Sequence, residues 1–169
     1  MRNLIFLLLL IFIFIYSLCS KSKNGLKEDS NLLYYSSFET IHDLSQWERI
    51  NEDNIISESC PDGGEYSIKI SGGCLIPHAS LTFEATGKDQ YVVLDFFAKN
   101  LEIGGYVEIF IEGSNTSSSI SINDKEWKRY YTLNCIFWPA EKDLTIWLYS
   151  GGYVPSAMLI DEFKLIKVR

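Results

Sequence analysis

The chain has 169 residues, a formal net charge of −7, 47% hydrophobic and 14% aromatic content. Residues 1–30 hold Arg2, Lys21, Lys23 and Lys27 against Glu28 and Asp29, a balance of 4 − 2 = +2, so the remainder carries −7 − 2 = −9. An acidic domain with no basic run repels phosphate backbones, which argues against nucleic acid and favours a neutral partner; the length leaves room for one core in a domain of about 130–140 residues.

Arg2 is followed by an apolar run from Leu4 to Leu18 and then Cys19-Ser20-Lys21. One positive charge, about 15 apolar residues and a following cysteine predict an export leader over residues 1–19. The run is short for a membrane-spanning helix, which needs about 20 residues. Cys19 is placed like the lipidation cysteine of bacterial lipoproteins, although Leu18 stands where that motif has a small residue. Cleavage without lipidation and an uncleaved anchor are the alternatives. Residues 20–30, SKSKNGLKEDS, are polar and aperiodic and read as a linker. The folded domain is expected over residues 31–169.

Strands are predicted at 32–39, 47–50, 55–59 and 66–70, the last two as a hairpin about Pro61-Asp62-Gly63-Gly64. Further strands follow at 78–84, 90–99, 105–112, 117–122, 127–137, 144–150 and 157–168. Glycine, asparagine and aspartate breakers separate them. In 144–150, Leu144, Ile146 and Leu148 alternate with Thr145, Trp147 and Tyr149. In the last strand, Phe163 and Leu165 alternate with Glu162 and Lys164, just after Asp161. Strands spaced by roughly ten residues with short turns indicate an all-β, two-sheet antiparallel β-sandwich, a jelly roll. No segment carries a convincing helical stripe.

The cysteines add little. With Cys19 lipidated, Cys60, Cys74 and Cys135 leave an odd number. In a 55–70 hairpin, Cys60 sits at the turn and Cys74 beyond the far end, too distant for the Cα separation of about 4.4–6.8 Å that a disulfide needs. There is no CxxC, and His42 and His78 stand alone, so the spacing shows no transition-metal site.

Several spaced elements resemble the CenC-type carbohydrate-binding modules of the galactose-binding-like jelly rolls. They are Ser37-Phe38-Glu39 with Trp47 following, Asp62-Gly63-Gly64 leading into Tyr66-Ser67-Ile68-Lys69-Ile70, Phe96-Phe97-Ala98-Lys99, Trp127-Lys128-Arg129-Tyr130, and Leu159-Ile160-Asp161-Glu162-Phe163-Lys164-Leu165. Together they span nearly all of residues 31–168. The resemblance implies eight main strands in two sheets. The first would hold 66–70, 157–168, 90–99 and 127–137; the second 78–84, 144–150, 105–112 and 117–122, in that spatial order. It also implies that Glu39 and Asp161 help hold a structural calcium with backbone carbonyls, as hard oxygen ligands suit that ion. The plainer reading is a surface acid at a strand end and a strand cap.

With that arrangement, alternation gives each sheet an apolar inner face. The first sheet then exposes Ser67, Lys69, Asp95, Phe97, Lys99, Glu162 and Lys164, a mixed-charge and solvated face. In strand 127–137, Tyr130 and Tyr131 cannot both point inward. The second sheet exposes His78, Ser80, Thr82 and Glu84, then Thr145, Trp147 and Tyr149, then Tyr106, Glu108, Phe110 and Glu112, then Ser119 and Ser121. Trp147 and Tyr149 would neighbour Tyr106 and Phe110. Aromatic rings beside hydroxyls and carboxylates suit a sugar, whose apolar C–H face stacks on a ring while its hydroxyls find hydrogen-bond partners. The candidate ligand-binding set is therefore Trp147, Tyr149, Tyr106, Phe110, Glu108, Glu84 and Thr82. The alternative is a cross-strand aromatic cluster covered by a loop or a partner protein.

No nucleophile elbow, metalloprotease helix or phosphate-binding glycine loop is present. A glycosidase needs two carboxylates about 5–9.5 Å apart, whereas Glu108 and Glu112 are four strand residues, about 13 Å, apart; cross-strand pairs involving Glu84 stay open. The expectation is a non-catalytic protein. Two functions follow: an exported, membrane-tethered glycan binder, or a surface lipoprotein whose jelly roll mediates protein–protein adhesion or assembly without sugar binding.

Overall fold

Alternating apolar positions force the chain into two facing layers. The computed structural model describes residues 31–72, 78–102, 104–111, 117–151 and 156–168, with 106–111 and 117 described by backbone alone. The leader, the linker, Cys19, Cys74 and Glu112 lie outside the described residues. In chain order the strands are β1 (Leu32–Ser36), β2 (Trp47–Glu48), β3 (Ile55–Ile56), β4 (Ser67–Gly72), β5 (Ala79–Phe83) and β6 (Gln90–Asn100). They continue with β7 (Gly105–Ile111), β8 (Ser117–Ile122), β9 (Lys128–Tyr131), β10 (Ile136–Trp138), β11 (Leu144–Ser150) and β12 (Ser156–Lys167). Single 3₁₀ turns stand at Ile41–Leu44 and Glu52–Asn54.

The first sheet runs β10-β6-β12-β4-β3, with β1 paired to β12 and β9 to β6; the second runs β2-β5-β11-β7-β8. Every described pairing is antiparallel. The protein is an all-β sandwich with the expected strand order, and Trp47–Glu48 adds an edge strand to the second sheet. Ile68, Ile70, Val92, Leu94, Phe96 and Ala98 meet Ala79, Leu81, Leu144, Ile146 and Leu148 in the core, all within 1% of full burial. Aromatic rings fill the layer between them: Trp47 meets Phe163 edge-to-face at 5.3 Å, and Phe163 lies 5.5 Å from Phe96 at a tilt of 30°, by ring centroids. The Trp47 indole N–H donates to the Tyr34 hydroxyl at 2.9 Å, so its one polar atom is satisfied.

Two departures from simple alternation shape the first sheet. In β12 the register passes from Asp161↔Phe97 to Lys164↔Asp95, so Glu162 and Phe163 together oppose one residue of β6. This β-bulge resets the parity of the strand. An unbroken period of two would send Glu162 and Lys164 to the side of Met158 and Ile160. With the bulge, Met158, Ile160, Phe163 and Leu165 are all fully buried. Glu162 bears the local cost at φ +50°, in the left-handed region.

The expected single strand 127–137 is instead two, β9 and β10, both on β6. Tyr130 turns inward and stacks on Phe96 at 5.8 Å, while Tyr131 is exposed. Thr132 keeps hold of β6 by donating its N–H to the Leu94 carbonyl and accepting the Leu94 N–H on its hydroxyl. Leu133 to Cys135 then leave the ladder before Ile136 re-enters the core.

The outer face of the first sheet also differs from expectation. Ser67 is buried, and so is Leu159, which points away from the aromatic core. The segment that follows β3 crosses this half of the face: Glu58 pairs with Lys99 on β6, and the Cys60 N–H donates to Asp161 on β12.

Candidate functional site

On the second sheet, β11 is central and its outward residues sit in defined rows. Trp147 lies opposite Ser80 on β5 and Glu108 on β7; Tyr149 lies opposite Tyr106; Thr145 lies between Thr82 and Phe110. Glu108 is in turn opposite Ser119, and Tyr106 opposite Ser121. The register therefore puts Trp147, Tyr149, Tyr106, Glu108 and Phe110 on one face, with Phe110 and Tyr106 diagonal to Trp147. Trp147 and Tyr149 are half-buried. The Thr82 and Thr145 hydroxyls share a hydrogen bond at 3.0 Å. Ser80 is buried rather than exposed, because β2 brings Glu48 over it and its hydroxyl donates to that carboxylate at 3.1 Å.

Thr82 and Glu84, both exposed, line a pocket of about 510 Å³ at the end of β5, with Gln46, Thr86 and the buried Trp138. The pocket adds an amide and a hydroxyl that strand alternation could not supply, since Gln46 and Thr86 lie in loops. Neither carried a recognisable sequence signal.

Glu39 and Asp161 come from opposite ends of the chain to hold one loop. Asp161 is fully buried and accepts the Cys60 N–H at 2.9 Å and the Glu162 N–H at 2.7 Å. Glu39 accepts the N–H groups of Glu65 and Tyr66 at 3.0 Å. The two carboxylates thus clamp the beginning and the end of the segment 60–66. Its glycines are there for space. A Cβ on Gly63 would fall 2.6 Å from the Asp161 carboxylate, and one on Gly64 would overlap Glu39. Phe38, Asp62 and Glu162, each beside one of these groups, have positive φ of 57°, 72° and 50°.

The electrostatics of this corner are those of an uncompensated buried anion. Burial pushes the Asp161 carboxyl up, against the lowering effect of the Cys60 and Glu162 N–H donors. Burial, with the adjacent Asp161 charge, pushes the Cys60 thiol up to about 12. Among the described residues no group of three His, Cys, Asp or Glu side chains could hold a metal. Any cation here would rest on these two carboxylates and backbone oxygens.

No protein-family model and no curated protein matches the sequence. Solved structures do match the fold. The CBM22-1 xylan-binding domain of Paenibacillus barcinonensis Xyn10C is similar with a TM-score of 0.55 and 16% identity, over 82% of this chain and 96% of that one. The C-terminal family 22 carbohydrate-binding module of Clostridium thermocellum Xyn10B gives 0.53 and 14%, over 81% and 93%. The enzymatically active domain of bacteriophage CBA120 tailspike protein 4 gives 0.51 and 16%, over 78% of this chain and 20% of that one. The chain shares the jelly-roll fold of carbohydrate-binding modules, and at these identities the likeness is one of fold.

Because the folded state raises the Asp161 pKa, it holds a proton more tightly than the unfolded chain. That contribution to stability is fully present below the ordinary carboxyl value of 3.8 and is lost as pH rises through the folded value. Asp161→Asn removes the titration. In metal-free protein, urea unfolding from about pH 4 to pH 7 should show the stability difference moving in favour of the variant. A difference constant with pH would mean that Asp161 titrates normally.

Proposed function

We propose that the chain is a non-catalytic carbohydrate-binding domain of an exported, membrane-tethered protein, and that it takes a neutral glycan on the outer face of the second sheet. The carrying observation is the register that sets Trp147 opposite Glu108 and diagonal to Tyr106 and Phe110, with Tyr149 one row along. An indole flanked by a carboxylate and hydroxyls can stack on a pyranose and bond its hydroxyls. The shared fold of a xylan-binding domain supports the ligand class, and the −9 domain suits an uncharged one.

Trp147 stands outside a core already filled by Ile146 and Leu148, so Trp147→Ala should cost clearly less than the about 3–5 kcal/mol of a buried tryptophan. On affinity gels containing xylan, cellulose or β-1,4-galactan, the variant should bind about tenfold or more weakly than the parent while its urea midpoint stays close. Unfolding of the variant, or undiminished retention, would contradict the reading.

The tether rests on the Leu4–Leu18 run and Cys19. Cells fed a radiolabelled fatty acid should label the parent and not Cys19→Ala; absence of label in both would leave an unlipidated leader.

Calcium belongs to the same proposal. Glu39 and buried Asp161 fit a hard cation because both carboxylates converge on one loop and no salt bridge compensates Asp161 among the described residues. The positive φ values around them are the kind of strain that ligand sites hold. A bound cation would offset the charge of the buried carboxylate and tie the loop to both chain ends. Added calcium should raise the melting temperature of the parent by mass action and leave Asp161→Asn nearly unmoved. Equal response of the two proteins would remove Asp161 from any metal site.

A further inference from the structure

The two halves of the first sheet's outer face are unlike. Beside Leu159 and Asp161 it is buried, whereas beyond the β12 bulge Val93, Lys164 and Ile166 are only half-buried, and the Tyr35 ring lies against the Lys164 ammonium and donates its hydroxyl to Glu162. There Ile166 lies opposite Val93, and Lys164 opposite Asp95. On the far side of β6, departure of residues 133–135 from the ladder opens a groove of about 380 Å³ lined by Val93, Ile166, Tyr131 and the Asp95–Arg129 pair. Tyr131 is 59% exposed. Its other side borders a second hollow, about 320 Å³, lined by Ser118, Ser119, Ser121 and Asn134. Along β6 from this point stands another ring pair. Tyr91 and Phe137 are directly opposed, with centroids 5.3 Å apart and exposures of 44% and 40%. Tyr91 and Asp95, the partner of Tyr131, are four strand residues apart, about 13 Å. The rings therefore form an extended track.

The groups between the rings favour one class of ligand. Arg129 grips Asp95 through two hydrogen bonds of 2.7 and 2.6 Å. The Arg129 side chain, 62% exposed, retains unused guanidinium N–H donors, and the Asp95 carboxylate, 13% exposed, retains lone pairs at the groove. A lipid surface or an apolar protein face would strip water from these groups without replacing its hydrogen bonds. A sugar hydroxyl, donor and acceptor at once, can satisfy both partners while the C–H face of its ring stacks on an exposed aromatic. The −9 domain also disfavours an anionic membrane or an acidic protein.

We infer that the half of the first sheet beyond the bulge is a second saccharide-binding surface. Tyr131 and the Tyr91–Phe137 pair serve as stacking platforms, and Asp95–Arg129 is the hydroxyl partner between them. This inference takes its ligand class from the proposed function but not its site. The face is on the opposite sheet from Trp147, so a single domain engages two glycan strands and gains avidity from doing so.

Both sheets and their shared core lie within residues 31–168, so the domain from residue 31 is the unit to test, alone and as Tyr131→Ala/Phe137→Ala and Trp147→Ala. Affinity gels of xylan, cellulose and β-1,4-galactan measure retention, and calorimetry with the matching oligosaccharide counts sites. The parent should bind two oligosaccharides per chain and precipitate the soluble polysaccharide. Tyr131→Ala/Phe137→Ala should bind one, lose precipitation and be retained about tenfold less. Should that variant fail to fold, Arg129→Lys, which keeps the charge and loses the fork, must lower the affinity of one site only. Unchanged stoichiometry and retention overturn the inference, and loss of all binding in Trp147→Ala then assigns the glycan to the second sheet alone. Loss of all binding in the first-sheet variant with Trp147→Ala unaffected upholds the inference and removes the second-sheet reading. A parent retained by none of the three glycans overturns both.

Discussion

The bulge at Glu162–Phe163 is the constraint on which the first sheet depends. β12 is hydrogen-bonded to β6, β4 and β1, so its parity decides what three neighbours bury. Before the bulge it contributes Met158 and Ile160 to the core; after it, Phe163 and Leu165. Shifting a strand by one residue exchanges its faces, and without the bulge the sandwich would have to bury Glu162 and Lys164 in place of Phe163 and Leu165. A positive φ at a non-glycine residue costs of the order of 1–3 kcal/mol. That is small beside the burial of a phenylalanine together with the avoided burial of two charges.

The same irregularity creates the corner at Asp161. Bending the strand there turns the carboxylate under the segment 60–66, where backbone N–H groups stand in for water. Gly63 and Gly64 permit the close approach, and Glu39 completes the clamp. The residues leading into this loop cross the first sheet, where Glu58 pairs with Lys99, and Ser67 and Leu159 on that half are buried. Packing, backbone strain and the raised carboxyl pKa are thus consequences of one local insertion.

This crossing also decides how the two outer faces differ. On the second sheet an unbroken β11 carries its aromatic and hydroxyl residues in rows between β5 and β7. On the first sheet the crossing segment shields one half, and the division of β9 from β10 opens the other. The high aromatic content serves both purposes. Trp47, Phe96 and Phe163 fill the space between the sheets, whereas Tyr91, Tyr131 and Phe137 stand toward water.

The sequence by itself determined the sandwich and the outward direction of Trp147 and Tyr149, while the order of the main strands in both sheets followed from the resemblance to carbohydrate-binding modules. Strict alternation over seven residues of β11 leaves no other register for Leu144, Ile146 and Leu148. Alternation also required Tyr130 and Tyr131 to face opposite ways, without saying which was inside; stacking on Phe96 chose Tyr130. Only tertiary structure decided where periodicity breaks. The β12 bulge, the excursion at Leu133–Cys135 and the burial of Ser67, Ser80 and Leu159 arise from partners distant along the chain. A pattern of period two reports the face a side chain points to; whether water reaches that face depends on the segment that crosses it, and that is a long-range property of the fold.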